Sequence, residues 1–494
     1  MTFDRNALPK IDFFKKDLYL YFIYLLFFLL VLSPTYIFSY ALSDDWILIQ
    51  AIYNNLTTSI IDWDVKSGRP LYGLFKVIIT TSLNNLGDLR YTRFVSVLAI
   101  WILCCLFYKM ISNRKILENK YQKILFPFIL CLLPSFQVYA SWAICSPYVL
   151  SILLSLLSYC CLIDSNGNTN ICKFFISLIL LCISFSIYQP AAMCFLFFVF
   201  FDNCVREKDF NLKNLITCAI VISISMLFSF FISKLVPQFL YDDLINRANL
   251  TSEFLKKTLW FFHQPLMNSI ANYNINPSFF YKIISIIIVI IGLYSIYNKK
   301  HGGKKLLLTL LLAVSSYVPN LVVEESWAAY RSLVSLELIM TSVFIIGIFY
   351  ISDKFKINHV TYPTIIILVM FFSFKNILKG FVIPQILEFR LLYNEIAKNV
   401  PQDFSGNLLF NVKNSENKTF SDISDNTLIG YDEFGQTSMI IPFATPGMAE
   451  EIKSERKMSY KYAGSITNTE NIKCDENCII IDVTKIIEQN KSLK

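Results

Sequence analysis

Apolar residues run along this chain in long blocks, and the short polar stretches between them are rich in lysine and arginine. A helix needs ~20 apolar residues to cross a bilayer. On that measure the runs at 18–40, 94–110, 124–141, 146–163, 172–188, 190–204, 212–235, 279–297, 304–323, 332–351 and 359–377 predict about eleven transmembrane helices. The first run follows Arg5, Lys10, Lys15 and Lys16, and "SYA" before Leu42 has the look of a cleavage site. The run exceeds the ~7–15 apolar residues of a signal peptide, so an uncleaved helix is expected. The segment "LYGLFKVIITTSL" at 71–83 is too short to span and carries Lys76, which predicts an amphipathic or re-entrant helix.

Charge placement sets the expected orientation, because lysine and arginine favour the cytoplasmic side. With the N-terminus inside, the inner loops hold Lys109, Arg114, Lys115, Lys120 and Lys123, then Arg206, Lys208 and Lys213, then Lys299, Lys300, Lys304 and Lys305, then Lys354 and Lys356. The outer turns near Ser141 and Gln189 carry none. Counting 71–83 as a span would invert this pattern, so the rule decides against it. The resulting architecture is an all-α polytopic membrane protein. Residues 1–377 form its membrane domain, with outer loops 41–93 and 236–278. Residues 378–494 form a small α+β outer domain, with strand-like pieces such as "NLLFNV" and "CIIIDV".

Composition agrees: 55% of the residues are hydrophobic, against 16% charged, where soluble domains carry about 25% charged residues. The net charge of +8 therefore reflects loop placement and not nucleic-acid binding. Of the 13 cysteines, eleven sit in apolar runs and read as small packing residues. The "CDENC" pair, Cys474 and Cys478, has no further metal ligand nearby and predicts a disulfide in an oxidising outer compartment. No phosphate-binding loop, dinucleotide fingerprint or HExxH motif is present. "HGGKK" at 301–305 reads as a basic inner loop, and with only three histidines no metal site is expected.

Three acid pairs fall on the expected outer side: Asp44-Asp45, Asp242-Asp243 and Glu324-Glu325. Each follows the exit of an apolar run. One reading has them converge on a cavity at the membrane surface; the other has acids marking the outer interface. Asp44-Asp45 carries more context, with Trp46 next, then Asp62, Asp64 and "SGRPL" containing Arg69. A carboxylate can accept the proton of a sugar hydroxyl as general base. Arginine binds phosphate through paired hydrogen bonds. Gly68-Arg69-Pro70 also reads as a turn before a helix, with Pro70 at its first position.

The order "SDDW", "SGRPL", "SFSIYQPA", "EESWAAYRS" resembles the type II Gtr family of serotype-converting O-antigen glucosyltransferases, over about residues 15 to 350. The resemblance implies a GT-C-like membrane fold. It implies a donor sugar on undecaprenyl phosphate, an O-antigen glycan acceptor and an active site on the periplasmic face of a bacterial inner membrane. It implies an inverting single displacement with Asp44 and Asp45 as the catalytic pair, Arg69 and Arg331 as phosphate contacts, and no metal or other cofactor. Tyr188 and Gln189 would then face donor or acceptor, beside Trp46 and the Glu324-Glu325 pair. Tyr188-Gln189 also reads as a tight corner between helices in which glutamine satisfies backbone groups. Two rival classes stay open: a lipid-oligosaccharide flippase or other transporter, and an O-antigen polymerase or ligase. Transporters usually show internal symmetry and polar residues at mid-membrane, and neither is clear here.

Overall fold

The computed structural model describes residues 17–491, except 56, 166, 208–210, 241–249, 413–432 and 467–476. Helices dominate it. Six are long and apolar enough to cross a membrane: Leu86–Arg114, Ala143–Leu162, Leu212–Val236, Phe279–Tyr297, Tyr330–Phe355 and Asn358–Asn399. A seventh is reached if Lys120–Leu130 and Pro134–Ser141, bent by 51° at their junction, form one span. The protein is thus a helical membrane protein, but the expected eleven spans are not reached by length and composition.

Proline explains most of the shortfall, because it cannot donate to the preceding helical turn. Pro34 starts a short helix after Leu18–Val31 and so divides the first run. Pro190 opens Gln189–Ala192, which breaks before Cys194–Phe200 and the π turn Phe201–Val205. Pro319 separates Val318–Val322 from Gly302–Ser315. Ile171–Ile187, at 17 residues, is only slightly short.

Small and hydroxylic side chains bring the helices together, as expected where lipid removes the hydrophobic drive for helix association. Ser151 and Ser155 of Pro147–Leu162 lie 2.8 and 3.0 Å from Ser184 of Ile171–Ile187, and Ser158 lies 2.8 Å from Ser177. Phe279–Tyr297 packs on Tyr330–Phe355 through Gly292 and Gly347. A Cβ on either glycine would fall 2.0 or 2.3 Å from a carbonyl of the other helix, so only glycine allows this approach.

The long helix continues past residue 377 to Asn399, with a π turn at Leu378–Val382. Beyond it lie three strands, β1 (Asn407–Asn411), β2 (Lys461–Ile466) and β3 (Cys478–Asp482), in the order β2-β1-β3. Both pairings are parallel. Parallel neighbours need crossover connections, and helix Thr445–Arg456 lies between β1 and β2 in sequence. The small sheet is therefore of α/β type, where a segregated α+β arrangement was expected. Cys478 is disulfide-bonded; Cys474 lies outside the described residues, as do Asp242 and Asp243.

Candidate active site

The turn after the first apolar run separates the two aspartates. Ser43 adopts a positive φ of 46°, Asp44 stands at the N-cap position of helix Asp45–Asn54 without a side-chain capping hydrogen bond, and Asp45 is its first residue. Successive helical residues point about 100° apart, so the neighbours face different surroundings. Asp45 is fully buried. Its carboxylate accepts N–H bonds from Leu42 (3.3 Å), Ala143 (3.4 Å) and Ile144 (2.9 Å), and Arg93 lies 3.9 Å away. Arg93 is also fully buried and donates to the carbonyls of Thr35 and Tyr40 at 2.6 and 2.9 Å. Burial pushes the Asp45 carboxyl up to about 6, against the pull of Arg93 and the three N–H groups. Asp45 therefore ties the outer turn to the Trp142–Cys145 corner, while the half-buried Asp44 keeps its own outlook.

Asp44 lies close enough to a second carboxylate, Asp64, to act on it electrostatically. Asp64, near the end of helix Thr57–Lys66, forms a buried ion pair with Lys76 at 2.7 Å. Burial raises the Asp64 pKa, Lys76 and Arg69 pull it back, and the nearby Asp44 charge adds to the rise. Between them the chain turns at Gly68, with φ +74°, before Pro70 opens helix Pro70–Thr81. A Cβ at Gly68 would lie 2.3 Å from Cβ of Ser233, so both conformation and space demand glycine. That turn delivers Arg69. Its guanidinium sits 5.0 Å over the Tyr188 ring, and its Nε donates to Oε1 of Gln189 at 3.2 Å. Gln189 Nε2 donates back to the Gly68 carbonyl at 3.3 Å. Tyr188 stacks on Tyr148 with centroids 3.7 Å apart.

Arg331 approaches from the start of Tyr330–Phe355. It lies 4.8 Å over Trp142 and 5.3 Å over Trp327. Glu433, from the tail, accepts the backbone N–H groups of Tyr330 and Arg331 at 3.1 and 2.9 Å and lies 3.9 Å from the guanidinium. The guanidinium groups of Arg69 and Arg331 both act electrostatically on the Tyr188 phenol. The arrangement can seat an anion between two arginines, with a carboxylate close by.

Over this stretch the chain matches the family described as "Glucosyl transferase GtrII", across residues 49–348, well over half its length. The chain belongs to that glucosyl transferase family. No curated protein matches it. Arg69, Tyr188, Gln189 and Arg331 fall inside the GtrII match; Asp44, Asp45 and Trp46 precede it.

Among the residues expected at the site, the structure gathers Asp44, Arg69, Tyr188, Gln189 and Arg331. Trp46 does not join them as an open aromatic platform: it is buried and stacks on Phe389 at 5.3 Å. Glu324 and Glu325 lie on an exposed loop, where the Glu325 carbonyl accepts from Lys257. Sequence reasoning missed Lys76 as the partner of Asp64, and Trp142 and Glu433 as partners of Arg331. It also missed Ser438, whose Oγ accepts the Ser43 N–H at 2.9 Å beside Asp44. Glu433 and Ser438 carry no local motif; only their spatial return from the tail exposes them.

Proposed function

We propose that this membrane glucosyltransferase moves glucose from a polyprenyl phosphate to a hydroxyl of an O-antigen glycan, on the periplasmic face of a bacterial inner membrane. Asp44 is the general base. The acceptor oxygen attacks C1 of the sugar, the C1–O bond to phosphate breaks, the proton passes to Asp44, and the polyprenyl phosphate leaves. One displacement inverts the anomeric centre. Arg69 and Arg331 stabilise the phosphate as charge develops on it, the kind of preorganised electrostatics that usually dominates catalysis. Asp45 positions Asp44 from behind. The Asp64–Lys76 pair fixes the turn that carries Arg69.

The observation that supports this reading best is the pairing of Arg69 and Arg331 around Tyr188, with Asp44 beside them at the exit of an apolar run. A lipid-linked phosphate stays at the headgroup plane, so its base and its phosphate contacts belong at such an exit. The test is transfer by purified protein in lipid nanodiscs, with polyprenyl-phosphate glucose as donor and lipid-linked O-antigen as acceptor. Glucose should pass to the acceptor, and UDP-glucose should not replace the donor. Use of UDP-glucose, polymerisation of the repeat units, or movement of unmodified lipid-oligosaccharide across the bilayer would each contradict the proposal.

A further inference from the structure

We propose that a cavity beside the Asp44-Asp45 turn is a glycan subsite that holds the acceptor polysaccharide beyond the sugar being modified. The proposal rests on the glucosyl transfer argued above and names where its acceptor binds. The cavity measures about 400 Å³, inside the range of ~300–1,000 Å³ usual for small-ligand sites. Four parts of the chain wall it: the turn from Ser39 to Trp46, Leu86, helix Ile383–Asn399, and Glu455 of helix Thr445–Arg456.

Helix Ile383–Asn399 has two faces. Glu388, Leu392 and Ile396 are buried and turn inward. Phe389, Arg390, Tyr393 and Asn394 recur at the spacing that shares one side of a helix, and all four line the cavity. Arg390 and Asn394 are exposed, so packing of the core does not call for them.

Independent support comes from Trp46. It lines the cavity, is only 1% exposed, and its Nε1 has no hydrogen-bond acceptor among the described residues. Buried indole N–H groups normally find one. That nitrogen is itself sealed from solvent, so a sugar oxygen meets it only when the indole turns toward the cavity. The other groups suit the same ligand. Phe389 stacks on Trp46, and Tyr393 follows with its centroid 6.4 Å from that of Phe389. Aromatic faces cover the C–H face of a sugar ring, while arginine, asparagine and glutamate bind hydroxyls in pairs. One arginine set against Glu455 suits a neutral polymer better than a phosphate. The cavity also adjoins the turn that carries Asp44, so a long acceptor can reach both places. Apart from Leu86, its residues lie outside 49–348, so this surface assigns acceptor preference mainly to parts of the chain beyond the family match.

The test measures binding without donor. The probe is fluorescently labelled O-polysaccharide, released from the lipopolysaccharide of the strain that carries the gene. Wild-type protein should bind it. Arg390→Ala/Asn394→Ala should bind about tenfold more weakly, the scale expected for lost hydrogen bonds to a charged group. Glu455→Gln, a gentler change on the opposite wall, should weaken binding in the same direction if the double variant proves unstable. No binding by wild type, or unchanged binding by both wall variants, would overturn the subsite. Binding that depends on these residues without any glucosyl transfer would overturn the proposed reaction and leave the subsite standing.

Discussion

Arg93 and Arg114 belong to one helix, separated by roughly 30 Å at ~1.5 Å per residue, and each anchors a buried cluster. The end near Arg114 is closed. Arg114 lies 2.5 Å from Asp202 and also donates to the Ile163 carbonyl; Tyr159 donates to Asp202 at 2.7 Å, and Arg206 adds a contact at 3.3 Å. Lys299 and Lys305 reach the carbonyls of Val205 and Arg206. Its carboxylate and its backbone acceptors are matched by cations from three basic segments. At the other end, Arg93 and Asp45 are likewise enclosed, but Arg69 and Arg331 are held differently. Their contacts among the described residues include aromatic rings, a neutral glutamine for Arg69, and a carboxylate 3.9 Å from Arg331. A guanidinium gripped by a close carboxylate serves the fold. Arg69, set over a ring and bonded to an amide, has the geometry to receive an incoming anion.

Substitutions sharpen this contrast. The largest effect is expected at Asp44. Asp44→Asn should lower the transfer rate about 100- to 10,000-fold, the usual cost of losing a general base, while thermal unfolding in detergent stays within a few degrees of wild type. At the closed end, Asp202→Asn should do the reverse. It strands Arg114, and breaking a buried pair costs about 3–5 kcal/mol. Its melting temperature should fall sharply, while transfer per folded molecule stays near wild type. If Asp202→Asn slowed transfer without loss of stability, the division between the two ends would collapse.

The smallest effect concerns pH. The native Asp45 pKa, about 6, lies above the ordinary aspartate value of 3.8. The native state therefore binds this proton more tightly than the unfolded chain. That contribution is full below about pH 4 and is lost as pH rises through 6, at most about 3 kcal/mol at 1.36 kcal/mol per pKa unit. The melting temperature of wild type minus that of Asp45→Asn should accordingly decline between pH 4 and 7. A difference that does not change with pH would remove Asp45 from this role.

Much of the outer end is legible in the sequence, for physical reasons. Arg69, Tyr188, Gln189 and Arg331 sit in turns next to apolar runs, where polar residues in a membrane protein stand out. Gly68 and Pro70 announce their turn by backbone preference alone. The two aspartates are visible as a pair, but adjacency hides their difference: only the burial of the helix start separates Asp45 from Asp44. Lys76 argues correctly against a span, since Pro70–Thr81 has 12 residues, yet its partner Asp64 depends on how two short helices pack. Span count fails where prolines divide apolar runs, which hydropathy does not register. Glu433 and Ser438 reach the site from about 100 and 395 residues away in the chain, a distance no local pattern bridges.

In the proposed function, Arg69 and Arg331 bind the phosphate of the donor lipid. Binding of polyprenyl monophosphate, without sugar, to purified protein in nanodiscs tests it most directly. Wild type should bind the lipid saturably, and Arg69→Ala/Arg331→Ala should lose that binding while keeping its melting temperature. Undiminished binding by the folded double variant would contradict the account.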